Sequence, residues 1–485
     1  MSASLGRFPL RWEPPLAVAL AGVLGLLIAF NPLLAVLGVG IGCVVMAIGL
    51  IDISVPAAGL GFVIFGHLVT GQFYVIGLLP EAFAAVLDVV LVAVAACVAL
   101  RPQPRSPRSH IATWLFLGLA TISIVNPLVP SLNYGTFGLR QVVLPLVALL
   151  VVKEAELTPR DRQFLIWLLA LGWAINVALA TRQWFGDFTA AEVAWLESQR
   201  ATYLVDDQIR LLGATQSNQD FGFLAAVAVP SVTVLFLASE RRAFRVALGV
   251  LLLLSLAVLF GSLLRTTLVG GIVGAILAAV LVTVRQGRPE RLVGFVGLLV
   301  TLLLALTVVL PGRLLPEDKA TTLSTRVVSI FSPGEDASFQ ARSAEVWPQT
   351  LEIISEHPVG GGPGASGPLS QARSSEAPFG PVVPDNGYLL IAVQFGLVGV
   401  LLFMGMFVTW LRDLFAWAGR GQLAAAAAVG SVVAALVAML AGGYWSLVNP
   451  SVILGVIVGL GLRGDGTRGE IRPKRPAGTG ATSPR

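Results

Sequence analysis

The chain has 485 residues, of which 56% are hydrophobic and 12% are charged, and its mean hydropathy is +0.84. An ordinary soluble domain carries roughly 25% charged residues, so this composition excludes a water-soluble globular protein. The formal net charge is +5 at pH 7, but the basic residues are spread over short loops and tails rather than gathered on one face, which argues against a nucleic-acid partner.

Apolar runs of about twenty residues, the length that a helix needs to cross a hydrocarbon core of roughly 30 Å, recur along almost the whole chain. They do not alternate apolar with polar residues, as the strands of a membrane β-barrel do. The sequence therefore predicts an all-α, polytopic integral membrane protein with about 12–14 transmembrane helices. The predicted spans are 15–33, 34–51, 55–71, 80–100, 112–127, 138–152, 163–181, 221–239, 244–262, 266–284, 291–311, 387–411, 422–444 and 449–463.

Lysine and arginine collect in alternate loops between these spans, a pattern that marks the cytoplasmic side of a membrane protein. Both chain termini are therefore predicted to be cytoplasmic. The cytoplasmic set is Arg7 and Arg11; Arg101, Arg105 and Arg108; Lys153, Arg160 and Arg162; Arg241, Arg242 and Arg245; Arg285, Arg288 and Arg291; Arg412 and Arg420; and Arg463, Arg468, Arg472, Lys474 and Arg475.

Two long loops, about 182–220 and 312–386, fall on the opposite, outer side. The second is longer than a passive connection needs to be, and the segment Phe339–His357 has apolar residues at helical spacing, so the large loop is predicted to be partly helical. The predicted organisation is an N-terminal transmembrane bundle with the first outer loop (1–204), a second membrane region with the large outer loop (205–463), and a disordered basic tail rich in Gly and Pro (464–485).

Three of the arginines on the outer side, where arginine is not needed to orient the chain, stand out: Arg210, Arg265 and Arg342. A guanidinium near an apolar environment needs an anionic partner, and its fork matches the oxygens of a phosphate. Converging arginines therefore predict a phosphate-bearing ligand. For any one of them, contact with lipid headgroups or an ion pair with a carboxylate such as Asp206, Asp207 or Glu345 is an equal alternative. That alternative is weaker for Arg265, because leucines flank it.

Asp385 lies where the large loop re-enters the membrane, and a carboxylate there could act as a general base. Spacing alone favours a different role, as the N-cap of the helix that follows, because Asp and Asn are both preferred at that position. His357 is a second candidate base, although a histidine directly before Pro358 and a glycine-rich stretch is more often a structural helix end. The identity of the base stays open at this point.

Several familiar site chemistries are missing from the sequence: it has no P-loop, no HExxH, no CxxC and no outer Asp-x-Asp pair. We therefore predict neither a metal site nor a cofactor. Cys43 and Cys97 both fall within apolar segments and are expected to be packing residues. Ionisable residues deep within the spans are few, His67 and Asp88 being the clearest, whereas a coupled transporter usually needs more of them.

Four segments on the predicted outer side form an ordered pattern. In the first, Arg210-Leu-Leu-Gly213 is followed by Asn218 before a span, and in the second, Arg265-Thr266 opens a span. The third is Arg342 with Trp347 and then His357-Pro358-Val359-Gly360 with Gly362; the fourth is Asp385-Asn386 with Gly396 and Gly399.

This ordered pattern resembles the motifs of the bacterial O-antigen ligase and O-antigen polymerase family of membrane glycosyltransferases. The segments are similar to its R-x-x-G…N, Arg-Thr, R…W…HP-[LIV]-x-G-x-G and H-[NSQ]-x9-G-x-x-G elements. One departure is that Asp385 stands where the ligases have histidine, which favours a polymerase-like or uncharacterised member over a lipopolysaccharide ligase. The resemblance covers about 205–411; the N-terminal spans match only in hydropathy and order.

The resemblance implies a metal-independent, inverting glycosyltransferase of the bacterial inner membrane. It would transfer or polymerise glycan from an undecaprenyl-diphosphate-linked oligosaccharide to a hydroxyl of a glycan or glycolipid acceptor, on the outer face, during synthesis of cell-surface polysaccharide. Its implied catalytic residues are Asp385, Arg265 and Arg342. Its implied substrate-binding residues are Arg210, Asn218, Trp347, His357 and Asn386.

Two readings from other classes compete with glycan transfer. A transporter of an anionic or lipid-linked substrate would use the arginines to bind cargo, but transport needs sites near the midplane that are reachable from both sides, whereas these residues face one side. A scaffolding protein would use the large loop to bind a partner, yet it has no reason to place three arginines and a carboxylate at membrane depth.

Overall fold

The computed structural model describes residues 53–80, 83–100, 110–186, 188–198, 204–205, 208–304 and 337–463. The predicted spans 15–33 and 34–51, the first part of the large loop (312–336) and the predicted tail (464–485) lie outside the described residues.

The regular elements among the described residues are helices, apart from one minimal antiparallel strand pair in the first long loop, in which Leu204 pairs with Ile209. The helices are α1 (Val55–Val75), α2 (Phe83–Ala99), α3 (Ile111–Ile122), α4 (Leu132–Glu154), α5 (Pro159–Gly186), α6 (Ala190–Ser198), α7 (Asn218–Ala238), α8 (Arg242–Gly261), α9 (Arg265–Gln286), α10 (Pro289–Leu304), α11 (Ala337–Ala341), α12 (Trp347–Glu356), α13 (Pro368–Ala372), α14 (Gly387–Gly419), α15 (Leu423–Ala438) and α16 (Val448–Leu462). The strands are β1 (Leu204–Val205) and β2 (Gln208–Ile209). A π-helical turn (Arg342–Val346) joins α11 to α12, and 3-10 turns lie at Ser123–Val125, Met439–Ala441 and Tyr444–Ser446.

Within the described residues, 8 helices are long and apolar enough to cross a membrane: α1, α4, α5, α7, α8, α9, α14 and α15, the last continued to Ala441. Three shorter apolar helices, α2, α3 and α16, lie among them. Every span predicted from 55–71 onward coincides with a helix, and the span predicted at 291–311 is described as far as Leu304. The prediction of an all-α polytopic membrane protein is confirmed.

Helix α7 lies at the centre of the part of the bundle that carries the candidate site. It packs against α8, α9, α15 and α16. The contact of α9 with α15 is especially close, because a Cβ added at Gly274 would lie 2.3 Å from the carbonyl oxygen of Gly430. Small residues permit such close approach between helices in a membrane, and the tight packing fixes the ends of these helices relative to one another.

The long helix α14 is broken at Gly396, where φ is 67°. The break leaves backbone groups without partners inside the helix, and the stretch after His357 supplies them. Gly361 N donates to Val393 O at 2.8 Å, Gly362 N donates to Gln394 O at 2.9 Å, and Leu397 N donates to Pro358 O at 3.1 Å. Irregular backbone at membrane depth is tolerated where protein satisfies it. The third and fourth sequence motifs are thus joined at this break.

We expect Gly396→Ala to destabilise the protein by about 2 kcal/mol or more, because a left-handed φ costs an L-residue roughly 1–2 kcal/mol and the added Cβ would lie 2.2 Å from Pro358 O. Gly405→Ala on the same helix is the matched control, since its Cβ would meet Ala112 Cβ at an ordinary 3.8 Å. Thermal unfolding of the purified protein in detergent measures both. Equal unfolding temperatures for the two variants would contradict the role assigned to the break.

Candidate functional site

The helix ends that carry the sequence motifs meet at one end of the bundle. The starts of α7 and α9 are adjacent, because a Cβ added at Gly222 would lie 2.4 Å from Leu264 Cδ1 and 3.4 Å from Thr267 Oγ1. The start of α14 lies beside the end of α15, where Asn386 Nδ2 donates to Leu440 O at 3.0 Å. The starts of α7, α9 and α14, which are far apart in the sequence, therefore lie at the same end of the bundle.

The centre of the candidate site is an ion pair between the third and fourth motifs. Arg342 Nε lies 3.2 Å from Asp385 Oδ2, and the two side chains are 24% and 37% exposed. A pair that is this accessible can exchange partners with an incoming ligand. The arrangement therefore offers a guanidinium for an anion and, next to it, a carboxylate that can accept a proton.

Two non-glycine residues in the described part of the chain have positive φ, and both lie at this site: Leu263 at 57° and Asp385 at 47°. Asp visits this region more readily than most residues, whereas a leucine there is uncommon. Leu263 allows α8 to turn back into α9 within three residues, so that Arg265 becomes the first residue of α9. Backbone strain of this kind collects at functional sites, and here it lies at Asp385 and two residues before Arg265.

Asn386, rather than Asp385, caps α14. Its Oδ1 accepts hydrogen bonds from Tyr388 N at 2.9 Å and Leu389 N at 3.1 Å. The spacing-based preference for Asp385 as the cap was therefore wrong by one residue, and its carboxylate is directed to Arg342 instead. Asn386 was also predicted to bind substrate, and the structure shows that both ends of its side-chain amide bond other parts of the protein.

Trp347 contacts the backbone of the residue that precedes Asp385. Its indole Nε1 donates to Pro384 O at 3.0 Å, and its ring packs edge-on against Phe339 with the ring centroids 5.7 Å apart. The hydrogen bond holds the residue that precedes Asp385, and so it helps to fix the left-handed backbone there. Trp347 was predicted to bind substrate; the structure places it at the site in a supporting contact.

Arg210 is half-buried in a loop that α5 holds in place. Gln183 Oε1 accepts hydrogen bonds from Leu212 N at 3.0 Å and Gly213 N at 2.9 Å, and Asn176 Oδ1 accepts one from Ala214 N at 3.0 Å. Sequence reasoning missed both amides. The available signal was that they are polar residues within or just after a predicted span, where such residues are costly unless they have partners.

Asn218 is the first residue of α7 and is buried. Ser217 precedes it and caps the helix, since its Oγ accepts a hydrogen bond from Asp220 N at 3.0 Å. Asn218, the asparagine of the R-x-x-G…N motif, is thus held at the same end of the bundle as Arg265.

His357 lies away from the ion pair. It ends α12, ten residues beyond Trp347, and a helical rise of 1.5 Å per residue separates their Cα atoms by about 15 Å. Its ring packs against Phe379 with the ring centroids 4.9 Å apart. The structure therefore brings Asp385, and not His357, to Arg342.

Tyr444 is a further residue at this end of the bundle that sequence reasoning missed. It is 3% exposed and its ring stacks on Phe223 of α7, with the ring centroids 5.2 Å apart and an interplanar angle of 7°. A lone tyrosine at the end of an apolar span has no local pattern that distinguishes it from a packing residue. Only the tertiary arrangement places it among the motifs.

Comparison with known families agrees with these motifs. Residues 250–404 match the family model described as O-antigen ligase, which confirms the predicted resemblance. The match includes Arg265, Arg342 and Asp385, whereas Arg210 and Tyr444 lie outside it. No curated protein matches the chain. Within the described residues, no group of three or more His, Cys, Asp or Glu side chains is arranged to hold a metal ion.

Proposed function

We propose that this multi-pass inner-membrane protein, whose residues 250–404 match the family model described as O-antigen ligase, transfers or polymerises glycan from an undecaprenyl-diphosphate-linked donor to an acceptor hydroxyl. The reaction takes place on the outer face of the membrane, inverts the anomeric carbon and needs no metal. The observation that carries the proposal is the accessible ion pair between Arg342 and Asp385, at the end of the bundle where the sequence motifs meet.

The donor diphosphate competes with Asp385 for Arg342. When the diphosphate binds, the guanidinium forms a bidentate contact with phosphate oxygens, and the carboxylate is released to face the acceptor. Donor binding thus prepares the base. Arg265 at the start of α9 and Arg210 in the loop before α7 add positive charge for the diphosphate, and the N-terminus of α9 adds its dipole.

In the transfer step, the acceptor oxygen forms a bond to the anomeric carbon from the face opposite the diphosphate. The bond between that carbon and the phosphate oxygen breaks, and its electron pair leaves with the diphosphate. The hydroxyl proton passes to the Asp385 carboxylate. Because the transition state resembles an oxocarbenium ion, a carboxylate activates the hydroxyl sufficiently, and the arginines stabilise the charge that grows on the leaving group.

Transport of an anionic or lipid-linked substrate is the second candidate. The observation that favours it is a polar cluster within the bundle, where Arg140 pairs with Asp88 and His67 Nδ1 bonds Asn449 Oδ1 at 2.8 Å. These groups lie on spans, as the ionisable residues of transporters do.

A reaction in detergent micelles separates the two candidates, because micelles contain no second compartment into which a transporter could move its cargo. We expect the purified protein to release undecaprenyl diphosphate from a lipid-linked oligosaccharide and to attach the glycan to an added acceptor. We expect the same rate in excess EDTA. Mass spectrometry of lipid and glycan products measures both. Donor that remains intact in micelles would favour transport, and loss of activity in EDTA that Mg²⁺ restores would overturn the metal-independent mechanism.

A further inference from the structure

Packing contacts hold the ring of Tyr444, and a hydrogen bond holds its backbone. A Cβ added at Gly442 would lie 2.2 Å from the Tyr444 ring, so the chain passes close across one part of it, while Phe223 covers a face. The Tyr444 carbonyl accepts a hydrogen bond from Ser451 Oγ at 3.0 Å. These contacts direct the hydroxyl without using it.

The hydroxyl end of Tyr444 meets the start of α9. It forms a side-chain hydrogen bond with Thr266, the residue directly after Arg265. The segment that carries Tyr444 is also tied to the start of α14, through the hydrogen bond from Asn386 Nδ2 to Leu440 O. Tyr444 therefore lies between the Arg265 segment and the segment that begins with Asp385.

The electrostatic setting of the phenol supports a polar role. Burial raises the pKa of Tyr444 above its ordinary value, while the Thr266 hydrogen bond and the positive charges of Arg210 and Arg342 act in the opposite direction. Because burial raises its pKa further above the physiological range, the phenol stays neutral and can donate one hydrogen bond and accept another. A phenylalanine would fill the same space without that link.

We propose that Tyr444 is a positioning residue that acts through Thr266 to hold Arg265 at a fixed distance from the Arg342–Asp385 pair. The inference rests on the proposed glycan transfer, because the purpose of the link is to align the groups that bind the diphosphate with the group that accepts the proton. Small misplacements of such groups are costly to the rate.

Tyr444→Phe tests the link because it removes the hydroxyl and keeps the ring against Phe223. We expect Tyr444→Phe and Thr266→Val each to lower kcat by about tenfold, the worth of one hydrogen bond at the site, with the KM for donor changed by less than about threefold. The double variant should be no slower than either single variant, and Thr266→Ser should retain the rate. Tyr134→Phe is the matched control, because it removes a buried hydroxyl that donates to Gly364 O at 2.8 Å, away from Thr266.

Hydrogen–deuterium exchange at residues 260–270 gives a second readout that does not depend on activity. It should rise in Tyr444→Phe and Thr266→Val and stay unchanged in Tyr134→Phe. The link would be overturned, even if wild type transfers glycan, by either of two results. One is a loss of kcat in the double variant that equals the product of the two single losses; the other is unchanged exchange at residues 260–270 in Tyr444→Phe and Thr266→Val. Absence of transfer by wild type, with the exchange pattern as expected, would instead leave the link in place and refute the proposed function.

Discussion

We expect Asp385→Asn to lower glycan transfer by on the order of 100-fold or more, the usual contribution of a general base. Asparagine has nearly the same shape as aspartate and tolerates the left-handed backbone that Asp385 adopts. The variant therefore loses the proton acceptor while keeping the turn into α14. Initial rates with saturating donor and acceptor measure the effect.

Asp413→Asn, on the helix α14 that follows Asp385, is the control for the loss of a carboxylate, because Asp413 pairs only with its neighbour Arg412 among the described ion pairs. It should retain the wild-type rate. The comparison with His357→Gln decides between the two bases that the sequence left open. If His357→Gln abolishes transfer while Asp385→Asn does not, the assignment of Asp385 fails, in spite of its contact with Arg342.

Asp385→His extends the comparison, because the ligases that this chain resembles have histidine at that position. A histidine can accept the proton but cannot form the carboxylate's ion pair with Arg342. Partial recovery relative to Asp385→Asn would support a common role for the two residue types as the base.

The apolar runs predicted the described helices well, because in a membrane the length and composition of a run nearly decide whether it forms a helix. The site was predicted less completely. Arg210, Arg265 and Arg342 stood out because arginine on the outer side is not needed to orient the chain, and the structure brings Arg342 to Asp385. Tyr444 carried no such signal, since its role depends on what packs against it, whereas the only signal at Gln183 was that a polar residue just after a span needs partners.

The glycine motifs illustrate the same limit. The glycines that follow His357, among them Gly360 and Gly362, predicted only the end of a helix. Their pairing across the break in α14 depends on contacts between segments about 35 residues apart, and no local pattern contains that information.

We expect Arg342→Ala to lower kcat by about 100- to 1,000-fold, as the loss of one group that stabilises developing charge does. Arg342→Lys should recover only part of the rate, because lysine keeps the charge and loses the fork. Arg420→Ala is the control, since Arg420 stacks on Trp417 at the other end of α14. Rates per folded protein, measured with matched detergent and lipid, give the comparison.

The affinity for undecaprenyl diphosphate alone then separates two roles for Arg342. If the diphosphate and Asp385 compete for its guanidinium, Arg342→Ala weakens binding, whereas Asp385→Asn strengthens it by up to about fivefold, the worth of an exposed ion pair. Asp385→Asn would thus bind the product more tightly while transferring more slowly. If instead Arg342 serves only to orient Asp385, neither substitution changes the affinity, and the diphosphate must be bound by Arg210 and Arg265 without it.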